Sequence, residues 1–297
     1  MLIKSADDQS KRIKLLEELQ KSPLLDEKQI RWLQEELYRL KQGIAGEGSA
    51  AHYIDRHFKD SQNHAVLHDL RFEVDGETAQ IDHLILSRAG YVYLLETKNY
   101  GGDLEVNEYG EFTAHYDRKS FGVASPLEQS KRHELLLTKL LAQLEISGRV
   151  SKTPIYQHVV LVNPRAQIKR PDPKKFDTSN IIKADQFAQW REKFLEQDTG
   201  FFKVIGLLAN MQSTDVLREW GEKLQRQHRP TNPLELPEFM RPKPPVAQPS
   251  PAKQSAKPML VCAVCHTKVT PRVAEFCEKN AKRFSGKIYC FDHQKAF

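Results

Sequence analysis

The chain has 297 residues, 39% of them hydrophobic, a net charge of +6 and four cysteines. No apolar run approaches membrane length, and Met1-Leu2-Ile3-Lys4-Ser5 does not resemble a cleavable signal, so a soluble, cytoplasmic protein with no membrane partner is expected. All four cysteines fall between Cys262 and Cys290, which excludes a disulfide framework spread over a secreted fold and suggests clustered metal ligands.

The first 42 residues read as a helical hairpin. Lys11 to Gln20 carries a Leu/Ile stripe, and Asp26 caps a second segment in which Ile30, Leu33, Leu37 and Leu40 recur at helical spacing. Gly43-Ile44-Ala45-Gly46-Glu47-Gly48 superficially suggests a phosphate-cradling loop. No strand precedes it and no Lys-Ser/Thr follows, so it reads instead as the start of a new helix. Glu47, Ala51, Ile54 and Phe58 then share one face, with a carboxylate at the head of an apolar stripe; complementing the helix dipole is its bland alternative role.

Strands follow at 64–74, around Asp82 and around Glu96, then comes a turn-rich segment through Gly101-Gly102 and Asn107-Glu108-Tyr109-Gly110, and together they read as strands in a meander. Thr78 to Ser87 alternates, Tyr91 to Leu95 is β-branched and aromatic, and Arg88-Ala89-Gly90 joins them. A three-residue loop with Gly90 in the left-handed position pairs Ser87 with Tyr91, and that register sets Asp82 opposite Glu96. Period two adds Lys98 to the same face and sends His83, Leu95 and Thr97 to the other. Two apposed carboxylates repel, and a divalent cation relieves them; a salt bridge among Asp82, Glu96 and Lys98 on an exposed face is the competing reading.

Ser125-Pro126-Leu127-Glu128 opens a helix to about Glu145, whose Gln129, His133, Leu136 and Leu140 share a face. Tyr156 to Val162 is a continuously apolar strand ending at Asn163-Pro164, Ile181-Ile182 is a short last strand, and helices are expected at 185–196 and 213–227. The sum is a mixed α/β domain with a central sheet. Nine of the sixteen prolines lie between Pro230 and Pro258, marking residues 229–258 as a semi-rigid, largely disordered linker.

The tail from Arg229 holds 12 Lys/Arg against 5 Asp/Glu, while the first 228 residues hold 33 against 34, so the basicity belongs to the tail. Within it, Cys262, Cys265, Cys290 and His293 form two knuckles, C-x2-C and C-x2-H, separated by 24 residues. Four N/S ligands in such pairs suit tetrahedral Zn2+, and a module of residues 259–297 has too little core to fold reliably without it. Cys277 reads as a buried thiol on a helix stripe, with replacement of His293 in the ligand set left open. Lys268, Arg272, Lys279, Lys282, Arg283 and Lys287, interleaved with Phe284 and Tyr289, suit nucleic acid or, equally, a docked protein partner.

The Gly46-Glu47 motif, Gln80-Ile81-Asp82-His83, Glu96-Thr97-Lys98-Asn99-Tyr100-Gly101 and Ser125-Pro126-Leu127-Glu128-Gln129, in that order, resemble the nuclease-related domain (NERD) family. That family is similar to the PD-(D/E)XK superfamily with its restriction-endonuclease-like fold. The resemblance covers about residues 43–165 and implies Asp82 and Glu96 as ligands of Mg2+ or Mn2+. It further implies Lys98 as the signature lysine, Glu47 as the helix acid and Gln129 as the polar residue of the later helix. Ile81 stands where the wider superfamily has proline. The implied domains are 1–42, 43–165, 166–228 as an extension of the body, 229–258 and 259–297. The implied activity is Mg-dependent phosphodiester hydrolysis, with DNA as the expected substrate and RNA the second; the alternative is a non-catalytic nucleic-acid-binding or adaptor protein on a nuclease-like fold.

Overall fold

The computed structural model describes residues 1–116, 119–198, 201–240 and 260–297, in two units divided after Met240. The first unit runs β1 (Leu2–Lys4), α1 (Ser10–Leu19), α2 (Glu27–Phe58), β2 (His64–Val74), β3 (Glu77–Ser87), β4 (Tyr91–Lys98), β5 (Asp103–Val106), β6 (Phe112–Tyr116) and β7 (Lys119–Val123). It continues through α3 (Pro126–Gln143), β8 (Ile155–Val162), β9 (Ile168–Lys169), β10 (Ile181–Lys183), α4 (Phe187–Asp198), α5 (Phe201–Asn210) and α6 (Thr214–Arg226). A six-stranded sheet has the order β1-β2-β3-β4-β8-β10, antiparallel across β2-β3-β4 and parallel across β4-β8-β10. The expected mixed α/β architecture, sheets flanked by helices, is the one the chain adopts.

Apolar residues on both faces of the central sheet dictate the layers. Leu136, Leu137 and Leu140 of α3 and Leu217 and Leu224 of α6 cover one face, against Leu67, Leu84 and Leu94. Ala50, Ile54 and Phe58 of α2 and Phe187 of α4 cover the other, against Val66, Ile85, Tyr93 and Leu95. A smaller sheet, β7-β6-β5-β9, packs through Leu104, Val106 and Phe112 onto Val160, Val162 and Ile181. The strands expected around Asn107–Gly110 are β5 and β6, but their separation into a second sheet with β7 and β9 was not legible in the sequence, nor was α5.

Asp26 caps α2 in both directions: its carboxylate accepts from Gln29 N at 2.9 Å, and Gln29 Oε1 accepts from Asp26 N at 3.0 Å. From there the helix runs 32 residues without interruption. The helix start expected at Gly46-Glu47 is therefore corrected: the glycine run is helical interior, and the helix passes unbroken through the boundary expected at residue 42. A mid-helix glycine costs about 1 kcal/mol relative to alanine. Gly46 has a use that offsets this, because a Cβ there would lie 2.3 Å from Asn99 Cβ. The missing side chain lets the loop after β4 close on α2, where Asn99 Nδ2 donates to Gln42 O at 2.7 Å.

Residues 229–240, expected as linker, belong instead to the first unit. Residues up to Met240 are seated on the N-terminal helices: Met240 is buried with Leu16 and Leu33, Phe239 meets Trp32 edge-on, and Gln29 Nε2 donates to Phe239 O at 2.7 Å. Arg12 Nη1 donates to the carbonyls of Pro233 and Glu235. Residues 241–259, the rest of the linker expectation and the first residue of the tail module, lie outside the described residues.

The C-terminal unit, by itself, has a bridge between Val261 and Lys268 followed by α7 (Pro271–Lys279), α8 (Ala281–Phe284) and α9 (Phe291–Gln294). Its small core is Cys262, Cys277, Phe284 and Tyr289.

Candidate functional site

Gly90, at φ 89°, closes the Arg88–Gly90 loop with its N–H donated to Ser87 O at 3.0 Å. The β3–β4 ladder then runs Leu86↔Val92 to His83↔Leu95 in the expected register, whose next step sets Asp82 across from Glu96. There the backbone ladder stops. Thr97 N donates instead to Asp82 Oδ2 at 2.7 Å, so a side chain takes over where the strands part. Glu96 and Lys98 share a face, with Lys98 Nζ donating to Glu96 Oε1 at 2.7 Å and to Gln129 Oε1 of α3 at 3.2 Å. His133, one turn further along α3, places Nδ1 3.9 Å from Glu96 Oε2.

Burial and mutual repulsion govern the acids. The Glu47 carboxyl is pushed up to about 7 by burial first, then by the charges of Asp69 and Glu96, with Lys98 opposing. Asp82 is raised well above the carboxylate range by burial, Glu96 and Glu47, against the pull of the Thr97 N–H and Lys98. Glu96 is raised by burial despite Lys98, Gln129 and Arg132. The three acids thus lie within one another's fields, and one nearby lysine does not neutralise them. Burial, with Arg132 and Lys98, holds His133 down to about 4, so it stands neutral beside Glu96.

The structure therefore brings Glu47, Asp82, Glu96, Lys98 and Gln129 to one place. It adds Asp69, which sequence reasoning missed. Asp69 falls opposite Asp82 between the paired positions His68↔His83 and Leu70↔Ile81, and it has φ 51°. Leu67 and Leu70, three apart, face the same core layer, as do Ile81 and Leu84. Regular strands put alternate residues on one face, so both strands change faces at this pair. Gln80 Nε2 holds Asp69 Oδ1 at 2.9 Å and Asp7 N holds Oδ2 at 3.2 Å. The one signal in the sequence is a broken alternation around 68–70. His83, expected on the face away from the acids, lies there, buried against His68 and Thr97.

The geometry is that of a buried acid cluster with a lysine on a strand hairpin. Residues 42–162 match the family model of the nuclease-related domain, NERD. No curated protein and no solved structure matches the chain. The NERD match begins inside α2 and ends at the last residue of β8, so it contains Glu47, Asp82, Glu96, Lys98 and Gln129. It leaves outside β1, β10, α4 and α6, which complete the core around it.

The second cluster lies beyond the NERD segment. Ligand atoms of Cys262, Cys265, Cys290 and His293 all lie within 4.8 Å of one another, the one such gathering of three or more His, Cys, Asp or Glu among the described residues. Three thiols and an imidazole at that spacing are compatible with zinc. Burial opposes ionisation of Cys262, but the backbone N–H groups of Cys265, Cys290 and Val264 outweigh it and bring the thiol down to about 5. Cys277 stands apart. Its sulfur accepts from Tyr289 N at 3.4 Å and Gln294 Nε2 at 3.2 Å, within the module's core.

Proposed function

We propose that this protein is a divalent-cation-dependent nuclease of the PD-(D/E)XK type that hydrolyses phosphodiester bonds in DNA. One observation carries the reading: Glu47, Asp82 and Glu96 are buried together, with Glu96 raising both Glu47 and Asp82 and with Lys98 fixed between Glu96 and Gln129. Uncompensated negative charge held by oxygen donors is what a hard cation satisfies, and Mg2+ typically uses only one or two protein carboxylates. Asp82 and Glu96 would hold it, and Mn2+ fits the same donors. When bound, the ion supplies Lewis acidity to the scissile phosphate and acidifies the attacking water.

The chain's own groups do the rest. Glu96 and Gln129 orient the Lys98 ammonium, which can direct a remaining N–H to the attacking water or to a nonbridging phosphate oxygen, where charge grows in the transition state. Glu47 adds a carboxylate from the helix side, and Thr97 N–H holds Asp82 in place. Neutral His133 borders Glu96 without adding positive charge.

The C-terminal module serves substrate capture in this reading. Zinc held by Cys262, Cys265, Cys290 and His293 fixes a scaffold bearing Lys268, Arg272, Lys282, Arg283 and Lys287, which contact phosphates, and tethering raises the local substrate concentration.

The test is incubation of the full chain with single-stranded, duplex and nicked DNA and with RNA, in Mg2+ or Mn2+, beside Asp82→Ala and Lys98→Ala. Cation-dependent cleavage of DNA lost in both variants is expected. Cleavage that survives both variants rejects the site, and cation binding without cleavage of any substrate replaces the nuclease by an adaptor.

A further inference from the structure

Beneath the acid cluster, on the α2 side of the sheet, four polar side chains form a row through an otherwise apolar layer. Asp55 Oδ1 of α2 lies 3.1 Å from His68 Nε2, His68 Nδ1 lies 2.8 Å from His83 Nδ1, and His83 Nε2 lies 3.1 Å from Thr97 Oγ1. Val66, Ile85 and Leu95 flank the row, and His68 and His83 are almost wholly buried. Buried polar groups at that depth are costly unless each is partnered, and here each is.

The partners also fix the direction of every hydrogen bond. A carboxylate accepts only, so His68 must carry its proton on Nε2 toward Asp55. Burial keeps His68 neutral, which leaves its Nδ1 as an acceptor. The one proton between the two Nδ1 atoms then belongs to His83, whose Nε2 becomes an acceptor. Only the Thr97 hydroxyl can fill it. The row therefore reads Asp55 carboxylate, His68 in the Nε2–H form, His83 in the Nδ1–H form and Thr97 as the terminal donor.

Thr97 is where this row meets the candidate cation site. The β3–β4 ladder ends at His83↔Leu95, and two residues beyond, Thr97 is held twice: its hydroxyl by His83 from one face, its N–H by Asp82 from the other. A β-branched residue has a stiff χ1, so fixing Oγ1 also fixes the backbone that carries the N–H. Glu96 and Lys98 are its chain neighbours.

Resting on the nuclease reading above, we infer that Asp55, His68, His83 and Thr97 are positioning residues that orient Asp82 and the Glu96–Lys98 edge for the cation. Groups behind metal ligands commonly contribute in this way, and losing one weakens binding or activity by about 10- to 100-fold. Asp55 and His68 act at a distance, through a chain of defined polarity that ends on a ligand's hydrogen-bond donor.

The test uses the zinc-loaded full chain. Long-range 1H–15N spectra of 15N-histidine protein should show His68 protonated on Nε2 and His83 on Nδ1, with His83→Gln identifying its own signals. Mn2+ titration should give about tenfold weaker binding for Thr97→Val, which keeps the shape and removes the hydroxyl, and near wild-type binding for Thr97→Ser. The positioning role is overturned if the tautomers are reversed, or if a folded Thr97→Val binds Mn2+ like the wild type while Asp82→Ala does not bind it. A wild-type chain that shows the stated tautomers but binds no Mn2+ overturns the cation site itself, and the positioning role with it.

Discussion

Asp82 and Thr97 are joined by a 2.7 Å hydrogen bond from the Thr97 backbone N–H to the Asp82 carboxylate, at the point where the β3–β4 backbone ladder gives out. The hairpin thus opens at its acidic end without losing register. Anchored by backbone and pushed toward its protonated form by burial, Glu96 and Glu47, this carboxylate would exchange its proton for a cation in the proposed site.

That exchange has a signature in stability. Glu47 is raised from an ordinary 4.5 to about 7, so the folded state holds its proton more tightly than the unfolded chain. Its stabilising effect is complete below the unfolded value and is lost as pH rises through about 7, and Asp82 and Glu96 act in the same direction. Without added Mg2+, the Tm of the zinc-loaded chain should fall between about pH 5 and about pH 8 from these groups, and millimolar Mg2+ should restore most of the loss at the upper end. Differential scanning calorimetry with and without Mg2+ checks this. A Mg2+ increment that shrinks as pH rises contradicts it.

Glu47→Gln removes one of three mutually repelling charges and keeps the shape. In cation-free buffer near about pH 8 it should raise Tm by a few degrees, while DNA cleavage falls about tenfold or more. Gains in both stability and activity would remove Glu47 from the machinery.

Gly46 and Gly48 separate close approach from helix propensity. Alanine at 46 must displace Asn99, 2.3 Å away, and should cost about 1–3 kcal/mol. Alanine at 48 meets nothing within 4 Å and should add up to about 1 kcal/mol through helix propensity. Urea denaturation of the two variants decides it, and equal shifts would discount the Asn99 contact.

Met240 and Phe239 act as part of the body. A chain ending at 240 should unfold like the body of the full protein, whereas one ending at 228 exposes Leu16 and Leu33; Met240→Ala should cost about 2–5 kcal/mol. Stability unaffected in the chain ending at 228 would return residues 229–240 to a linker role.

In the tail, Cys262→Ser and Cys290→Ser should abolish zinc retention and unfold residues 260–297. Cys277→Ala should keep one zinc per chain and loosen only the packing around Phe284 and Tyr289. Zinc stoichiometry by atomic absorption discriminates the two classes; loss of zinc in Cys277→Ala would place that thiol in the ligand set.

What could be read without coordinates was encoded over short stretches. Gly90 and the flanking alternation sufficed for the hairpin register, Asp26 and Ser125 for two helix starts, and cysteine spacing for the Cys3His group, because turn dihedrals, caps and paired ligands involve neighbours in the chain. The acid cluster was legible as far as its motifs reached. Tertiary structure alone supplied Asp69 as a further acid, the unbroken α2 through its glycines and the docking of residues 229–240 on α1 and α2. The same holds for the row from Asp55 to Thr97. Each depends on packing between segments distant in sequence, where burial and close approach override local preference, and a strand's own pattern does not record which side chain will be pressed against it.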